Sequence, residues 1–210
     1  MAMEPYVIRQ GDFLSKLAQS RGFDADAVWN DPQNAELKQS RSSYDVLCAG
    51  DLIYLPVQKT TSFSLSVGSE NSFTVDVPLI DIAITLTDDG EPLKNAACHV
   101  LLAGADTPID TTTDGDGLLK FQVPMDCETA TLTLDDPPAS YVVRIGHMDP
   151  DNESSGVRLR LTNLGYIDDP CPSDESLADA IGAFQVDAGL EATGEVDDAT
   201  RDALVKAHGH

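Results

Sequence analysis

Residues 157–204 carry three spaced runs that decide how this part of the chain folds. They are Val157-Arg158-Leu159-Arg160-Leu161-Thr162-Asn163-Leu164-Gly165-Tyr166, then Ile181-Gly182-Ala183-Phe184-Gln185-Val186-Asp187-Ala188-Gly189-Leu190, and Thr193-Gly194-Glu195-Val196-Asp197-Asp198-Ala199-Thr200-Arg201-Asp202-Ala203-Leu204. In the first, Val157, Leu161 and Leu164 fall on one helical face, and Gly165 supplies a stop. Leu177, Ile181 and Phe184 form a second face, preceded by the capping candidates Ser173 and Ser176. Gly189-Leu190 and Thr193-Gly194-Glu195-Val196 read as turns. Asp197 or Asp198 then caps a last helix with Ala203 and Leu204 inward. The expectation is a three-helix domain over 149–210.

This pattern resembles a helical peptidoglycan-binding domain. The carrying positions are Val157, Leu161, Leu164-Gly165-Tyr166, Ile181, Phe184-Gln185, Gly189-Leu190, Thr193-Gly194, Val196-Asp197, Thr200 and Leu204. The chain departs from that family in its first loop, where Asp168 to Glu175 holds two prolines and Cys171 in place of an Asp-Gly-x-Phe-Gly turn. The resemblance implies a wall-polymer cleft, with Arg160 and Gln185 as its polar candidates; a solvated helix face is the other reading of each.

Working back to the start, residues 1–57 read strand, helix, helix, strand. Tyr6-Val7-Ile8 is a strand, and Gly11-Asp12 a turn whose Asp12 is placed to cap a helix from Phe13. Leu14, Leu17 and Ala18 recur at helical spacing up to Gly22. Asp24 caps a second helix that Pro32 interrupts, and 34–38 continues helical. Gly50-Asp51 turns into the strand Leu52-Ile53-Tyr54-Leu55, which Pro56 closes. The order and residues resemble a LysM module. Its departure is a longer stretch between Trp29 and Tyr44, with Arg41-Ser42-Ser43 added. The resemblance implies a shallow groove for N-acetylglucosamine polymers, lined by Gly11, Asp12, Phe13 and Leu14 on one side and Val46, Leu47 and Cys48 on the other, with Asn34 nearby. The same residues read equally well as turn-builders and inward packing.

Residues 58–148 alternate instead. A polar stretch, Thr60-Thr61-Ser62, leads into Phe63-x-Leu65-x-Val67 and Phe73-x-Val75-x-Val77, which read as a hairpin. Ile82-x-Ile84-x-Leu86, Cys98 to Leu102, Leu119-x-Phe121-x-Val123, Leu132-x-Leu134 and Tyr141 to Ile145 read as further strands. Short strands separated by polar turns predict a β-sandwich. The pieces Asp89-Gly90-Glu91-Pro92-Leu93 and Thr113 to Pro124 resemble the carboxypeptidase-regulatory or transthyretin-like β-sandwich group, which implies a spacer or contact surface. Asp114 and Asp116 are cation-type residues, but the later ligands of an EF-hand loop are missing, so a plain Asp-Gly turn is expected.

The fold class expected is therefore multidomain α+β: a βααβ LysM-like domain, a β-sandwich and a three-helix domain. Composition narrows the partners. Among 210 residues, 36 acidic and 13 basic give a formal charge of −23, and Asp outnumbers Glu 27 to 9. A chain without a basic stripe is not expected to bind nucleic acid, and anionic membrane surfaces repel it. The first residues show no basic and apolar export pattern. Cytoplasmic synthesis is expected, with any export by another route. Cys48, Cys98, Cys127 and Cys171 form no C-x-x-C pair. Reduced thiols are the expectation, with a Cys98–Cys127 bridge left open.

Enzyme machinery is not legible. The histidines His99, His147, His208 and His210 are scattered, without H-E-x-x-H spacing, and there is no G-x-S-x-G elbow. No catalytic residue, metal or cofactor is expected. The combination of the three resemblances looks like cytosolic proteins associated with contractile injection (type VI secretion-like) systems. It implies a binder of peptidoglycan or an N-acetylglucosamine polymer. The alternative is an adaptor that contacts a spike or effector protein and binds no glycan.

Overall fold

The computed structural model describes residues 2–58, 64–72, 77–88, 90–169 and 172–209. Readings that fall on Thr60-Thr61-Ser62, Phe63, Phe73 to Val75, Asp89, Pro170, Cys171 and His210 lie outside the described residues. The chain divides into two units, Met1–Val57 with Gly146–His210, and Gln58–Ile145. The first and third segments thus share one unit, although each keeps its own apolar cluster.

The first unit begins with β1 (Met3–Val7), α1 (Leu14–Arg21), α2 (Ala25–Trp29), a 3-10 turn (Pro32–Asn34), α3 (Ala35–Ser40) and β2 (Leu52–Pro56). β1 and β2 pair antiparallel, with Val7 opposite Leu52 and Met3 opposite Pro56. Ile8, Leu14, Leu17, Val28, Trp29, Leu37, Leu47, Ile53 and Leu55 bury one shared core between the sheet and the helices. Asp24 caps α2 by accepting from the Ala27 amide, and Gly22 ends α1 in the left-handed region at φ +72. The cap of α1 differs from the reading. Phe13 is the extended cap residue and supplies no side-chain bond. Asp12 instead accepts from the Tyr6 hydroxyl at 2.7 Å and the Arg9 amide at 3.0 Å, closing its own turn. The first-turn amide of Ser15 is satisfied by Asp45, from the facing loop, at 2.9 Å.

The same unit ends with α4 (Ser154–Asn163), α5 (Asp174–Asp187) and α6 (Asp198–His208). Ser173 caps α5 through the Ser176 amide, and Asp197 caps α6 through the Thr200 amide. Val157, Leu161, Ile167, Ala180, Ile181, Phe184 and Leu204 form the cluster between the three helices. Tyr166 meets Phe184 edge to face at 5.5 Å. Its hydroxyl donates to Asp187 at 2.8 Å; burial first, and the carboxylate second, push the phenol up to about 12.

The second unit is antiparallel β: β3 (Leu79–Thr85), β4 (Thr87–Asp88), β5 (Glu91–Pro92), β6 (Ala97–Leu102), β7 (Ile109–Thr112), β8 (Leu118–Pro124), β9 (Thr129–Leu134) and β10 (Ala139–Arg144). One sheet runs β10-β9-β6-β7; β3 pairs β8, and β4 pairs β5. Cys98, Val100, Ala130, Leu132 and Leu134 of the first sheet share a core with Leu119, Phe121 and Val123 of β8. Of the expected leading hairpin the structure describes only part: Leu65 and Val67 lie in irregular backbone and are exposed, and Asn71 closes a turn onto the Ser66 amide and carbonyl. Cys48, Cys98 and Cys127 are free, which settles the open question of a Cys98–Cys127 bridge. Asp114 Oδ1 accepts from the Asp116 and Leu118 amides, at 2.9 Å each, so its carboxylate builds the turn.

One cross-strand cluster carries a pH expectation. His99 on β6 sits between Asp110 of β7 (Nδ1 to Oδ1, 2.7 Å) and Asp135 after β9 (Nε2 to Oδ2, 3.3 Å). Only the imidazolium can donate to both. The Asp110 bond first, and the Asp135 bond second, raise the His99 pKa. A raised folded pKa places the clamp's full contribution below about pH 6.5, the unfolded value. That contribution is lost as pH rises through the folded value. The imidazole is expected to titrate above 6.5 in an NMR pH series, with His99→Gln flattening the pH dependence of the second unit's melting. A His99 that titrates at or below the free value would remove the clamp.

Candidate functional site

The two loops singled out by the sequence do come together. The Leu14 amide donates to the Tyr44 carbonyl at 3.1 Å, the Ile8 amide to the Asp51 carbonyl at 2.8 Å, and the Gly50 amide to the Ile8 carbonyl at 2.9 Å. Yet Phe13, Leu14, Val46 and Leu47 are all buried. They serve packing and leave backbone and Cys48 at the loop surface. Asn34 is buried as well. Its amide donates to the Val28 and Tyr54 carbonyls at 2.9 Å, and its carbonyl accepts from the Tyr54 amide at 2.7 Å. It therefore completes the outer edge of β2 in place of a third strand, and its polar atoms do not face a groove.

A segment absent from the sequence reading meets these loops. Gly146 and His147 lie directly against the first one. A Cβ added at Gly11 would stand 3.3 Å from His147 Nε2, and one added at Gly146 would stand 2.9 Å from the Phe13 ring. Gln10 donates to the His147 carbonyl at 3.3 Å. At the other end, Asn152 donates to the Ser40 carbonyl at 3.1 Å and accepts from Arg41 at 3.2 Å. Arg41 also holds Asp51 through two bonds of 2.8 Å and reaches Glu153 at 2.9 Å. The bidentate fork is the geometry that guanidinium and carboxylate favour. The Asp51 bond raises the Arg41 pKa far above its ordinary value. Burial alone would lift Asp51, but Arg41 and the Cys48 amide hold it below the usual range. Cys48 is half-buried, and its thiol is pushed up by burial and then by Asp149, Glu153 and Asp51.

Arg160 and Gln185, the polar cleft candidates, are each 1% exposed. Arg160 Nη1 donates to the Asp149 carbonyl at 2.8 Å and the Gly156 carbonyl at 3.1 Å. Burial lowers its pKa, with Asp151 and Asp149 opposing. Gln185 Oε1 accepts from the Thr193 and Gly194 amides at 2.9 and 3.0 Å. Its Nε2 donates to Glu195 O at 2.9 Å and Thr200 Oγ1 at 3.0 Å. Both side chains brace the helical body from inside, so neither reaches a ligand at the surface. The residues that sequence reasoning missed are Gly146, His147, Asn152 and Glu153, with Arg41 noticed only as an insertion. Its signal was a basic residue in an added stretch of a strongly acidic chain.

Comparison with known proteins adds one finding. The model of a family described as "Putative peptidoglycan binding domain" matches residues 153–204. The match opens on Glu153, the partner of Arg41, and spans α4, α5 and most of α6. No curated protein and no solved structure gives a significant match.

Proposed function

We propose that this chain is a non-catalytic protein that engages peptidoglycan or a similar amino-sugar polymer, as an accessory of a contractile injection (type VI secretion-like) apparatus. The observation that carries the binding part is the peptidoglycan-binding match over 153–204 on a three-helix body with its own apolar cluster. The placement beside an injection apparatus rests on module order alone. Since Arg160 and Gln185 are interior, contact falls to the helical body's surface loops and to the Gly11–Leu14 and Val46–Cys48 backbone.

Sedimentation with purified, insoluble peptidoglycan tests the reading. The chain is expected to co-sediment, and retention should hold or rise as salt increases from about 50 to 300 mM, because screening relieves repulsion between −23 and the stem carboxylates. Absence from the pellet across that range rejects glycan binding. Clearing of wall turbidity by the pure protein would reject the non-catalytic part.

A specific observation favours the second reading, an adaptor for a spike or effector protein. The first of these loops is packed by the chain's own Gly146 and His147, and Asn152 bonds the Ser40 carbonyl nearby. A recognition surface already holding protein is a step toward protein contacts. Co-purification with such a partner, together with no pelleting, is the result that reading expects.

A further inference from the structure

We infer that Gly146–Glu153 is a fixed clasp that makes the N-terminal module and the helical body one cooperative folding unit, so that a ligand held by either stabilises both. The inference goes beyond the proposed function and holds whether or not either surface takes a glycan. A shared apolar core does not supply the coupling, because no residue belongs to both clusters. What joins the two bodies is a segment with a built attachment on each side.

On the helical side the attachment is buried. Arg160, 1% exposed, donates to the Asp149 carbonyl at 2.8 Å. The Asp149–Pro150 backbone lies so close on buried Gly156 that a Cβ there would stand 1.9 Å from the Pro150 carbonyl oxygen. The Glu153 amide donates to that same carbonyl at 3.1 Å, and Glu153 is the cap residue of α4. On the N-terminal side the clasp holds at two places. Gly11 and Gly146 both lie in the left-handed region, at φ +84 and +74, and meet without side chains. A Cβ on Gly146 would stand 3.2 Å from the Gly11 carbonyl oxygen and 2.9 Å from the buried Phe13 ring. The His147 ring covers Gly11, and its carbonyl accepts from Gln10. At the second place Asn152 and Glu153 engage Ser40 and Arg41, and the same guanidinium forks onto Asp51.

Unfolding the helical body removes what fixes residues 149–153, and so strips Arg41 and the Gly11 turn of partners. Unfolding the N-terminal module does the reverse. Bodies that lose contacts in each other's unfolding open together. In chain order the β-sandwich is then an insertion, since residues 58–145 leave and rejoin a unit whose two halves the clasp already connects. The spacing of those halves does not pass through the sandwich, the spacer role that its resemblance implied.

Pulsed hydrogen exchange with peptide mass spectrometry, run on the full chain across a urea titration, reads α1, α5 and β8 separately. Trp29, the single tryptophan, reports the N-terminal core independently. In the parent, α1 and α5 are expected to share one midpoint. Gln185→Leu lies in the helical body, yet it should lower both midpoints equally, by about 1 M urea or more, and leave β8 unmoved. Leu17→Ala opens a cavity in the N-terminal core and should lower α5 along with α1, which decides the matter if the first variant does not fold. A shift confined to the mutated body, with Trp29 following α1 alone, overturns the coupling. Movement of β8 in step with the others overturns the separate sandwich. His147→Ala/Asn152→Ala/Glu153→Gln removes the N-terminal fastenings, and in it the α1 and α5 midpoints are expected to part. Midpoints that stay together there reject the clasp as the source of coupling. An N-acetylglucosamine hexamer added to the parent separates this inference from the proposed function. A joint rise of α1 and α5 supports both, and a rise of one alone overturns the coupling. No rise rejects a hexamer-binding surface on this unit, while the variants still decide the clasp.

Discussion

Gly156→Ala is expected to destabilise the first unit by about 3 kcal/mol or more, from overpacking against a fixed backbone. Gly156 lies in the first turn of α4 and is buried. A Cβ there would fall 1.9 Å from the Pro150 carbonyl oxygen and 2.6 Å from that of Asp149. These are backbone atoms, so no rotamer change relieves the clash. The Asp149 carbonyl is also the acceptor for Arg160 at 2.8 Å. Its retreat would strip a bond from a guanidinium whose Nε already has no partner among the described residues. The opposing term is helix propensity, which favours Ala over Gly by about 1 kcal/mol. The clash exceeds it, so the sign is destabilising. Urea denaturation followed by Tyr and Trp fluorescence checks this. A variant as stable as the parent, or more stable by the propensity term, would mean that 149–150 does not cross α4 at this glycine.

The two terminal segments and residues 146–153 differ in how far sequence reveals them, for physical reasons. α5 and α6 follow from period and caps: Ser173 and Asp197 accept from the amides three residues on. Such signals are local, and nothing distant overrides them. α1 shows the opposite case. Its amide is capped by Asp45 from 30 residues away, while the adjacent Asp12 closes a turn with Tyr6 and Arg9. β7 carries no alternation because Ile109 to Thr112 is largely exposed at the end of its sheet. Residues 146–153 carry no period, since an irregular segment held at scattered points satisfies neither a 2- nor a 3.6-residue repeat. The burial of Arg160 and Gln185 was within reach. Arg160 follows Val157 by three and Gln185 follows Ile181 by four, which puts both on the apolar faces. Residue type argued for solvent, position argued for the interior, and position decided.

Gln185→Leu is expected to cost about 2–4 kcal/mol of stability, because it keeps side-chain volume but leaves buried partners unmade. The amide of Gln185 ties the 193–195 turn to α5 and to Thr200 at the start of α6. Both of its ends are used, so no single hydrogen-bonding group replaces it. Gln185→Glu separates the two ends. A carboxylate still accepts from Thr193 and Gly194 but cannot donate to Glu195 O or Thr200, and it adds a charge inside the helical body. Burial raises the pKa of such a group above its unfolded value. The folded state then binds the proton more tightly, so the variant's deficit relative to the parent shrinks as pH falls through the folded pKa. The protonated acid can donate the bond that the carboxylate lacks. Chemical denaturation of both variants and the parent at pH 7.5 and pH 5 reads this pattern. The Leu variant's deficit should stay constant between the two pH values, and the Glu variant's should narrow at the lower one. A Glu variant with the same deficit at both would mean that the carboxyl at 185 takes up no extra proton on folding between those pH values, and that the site does not hold it as a buried acid.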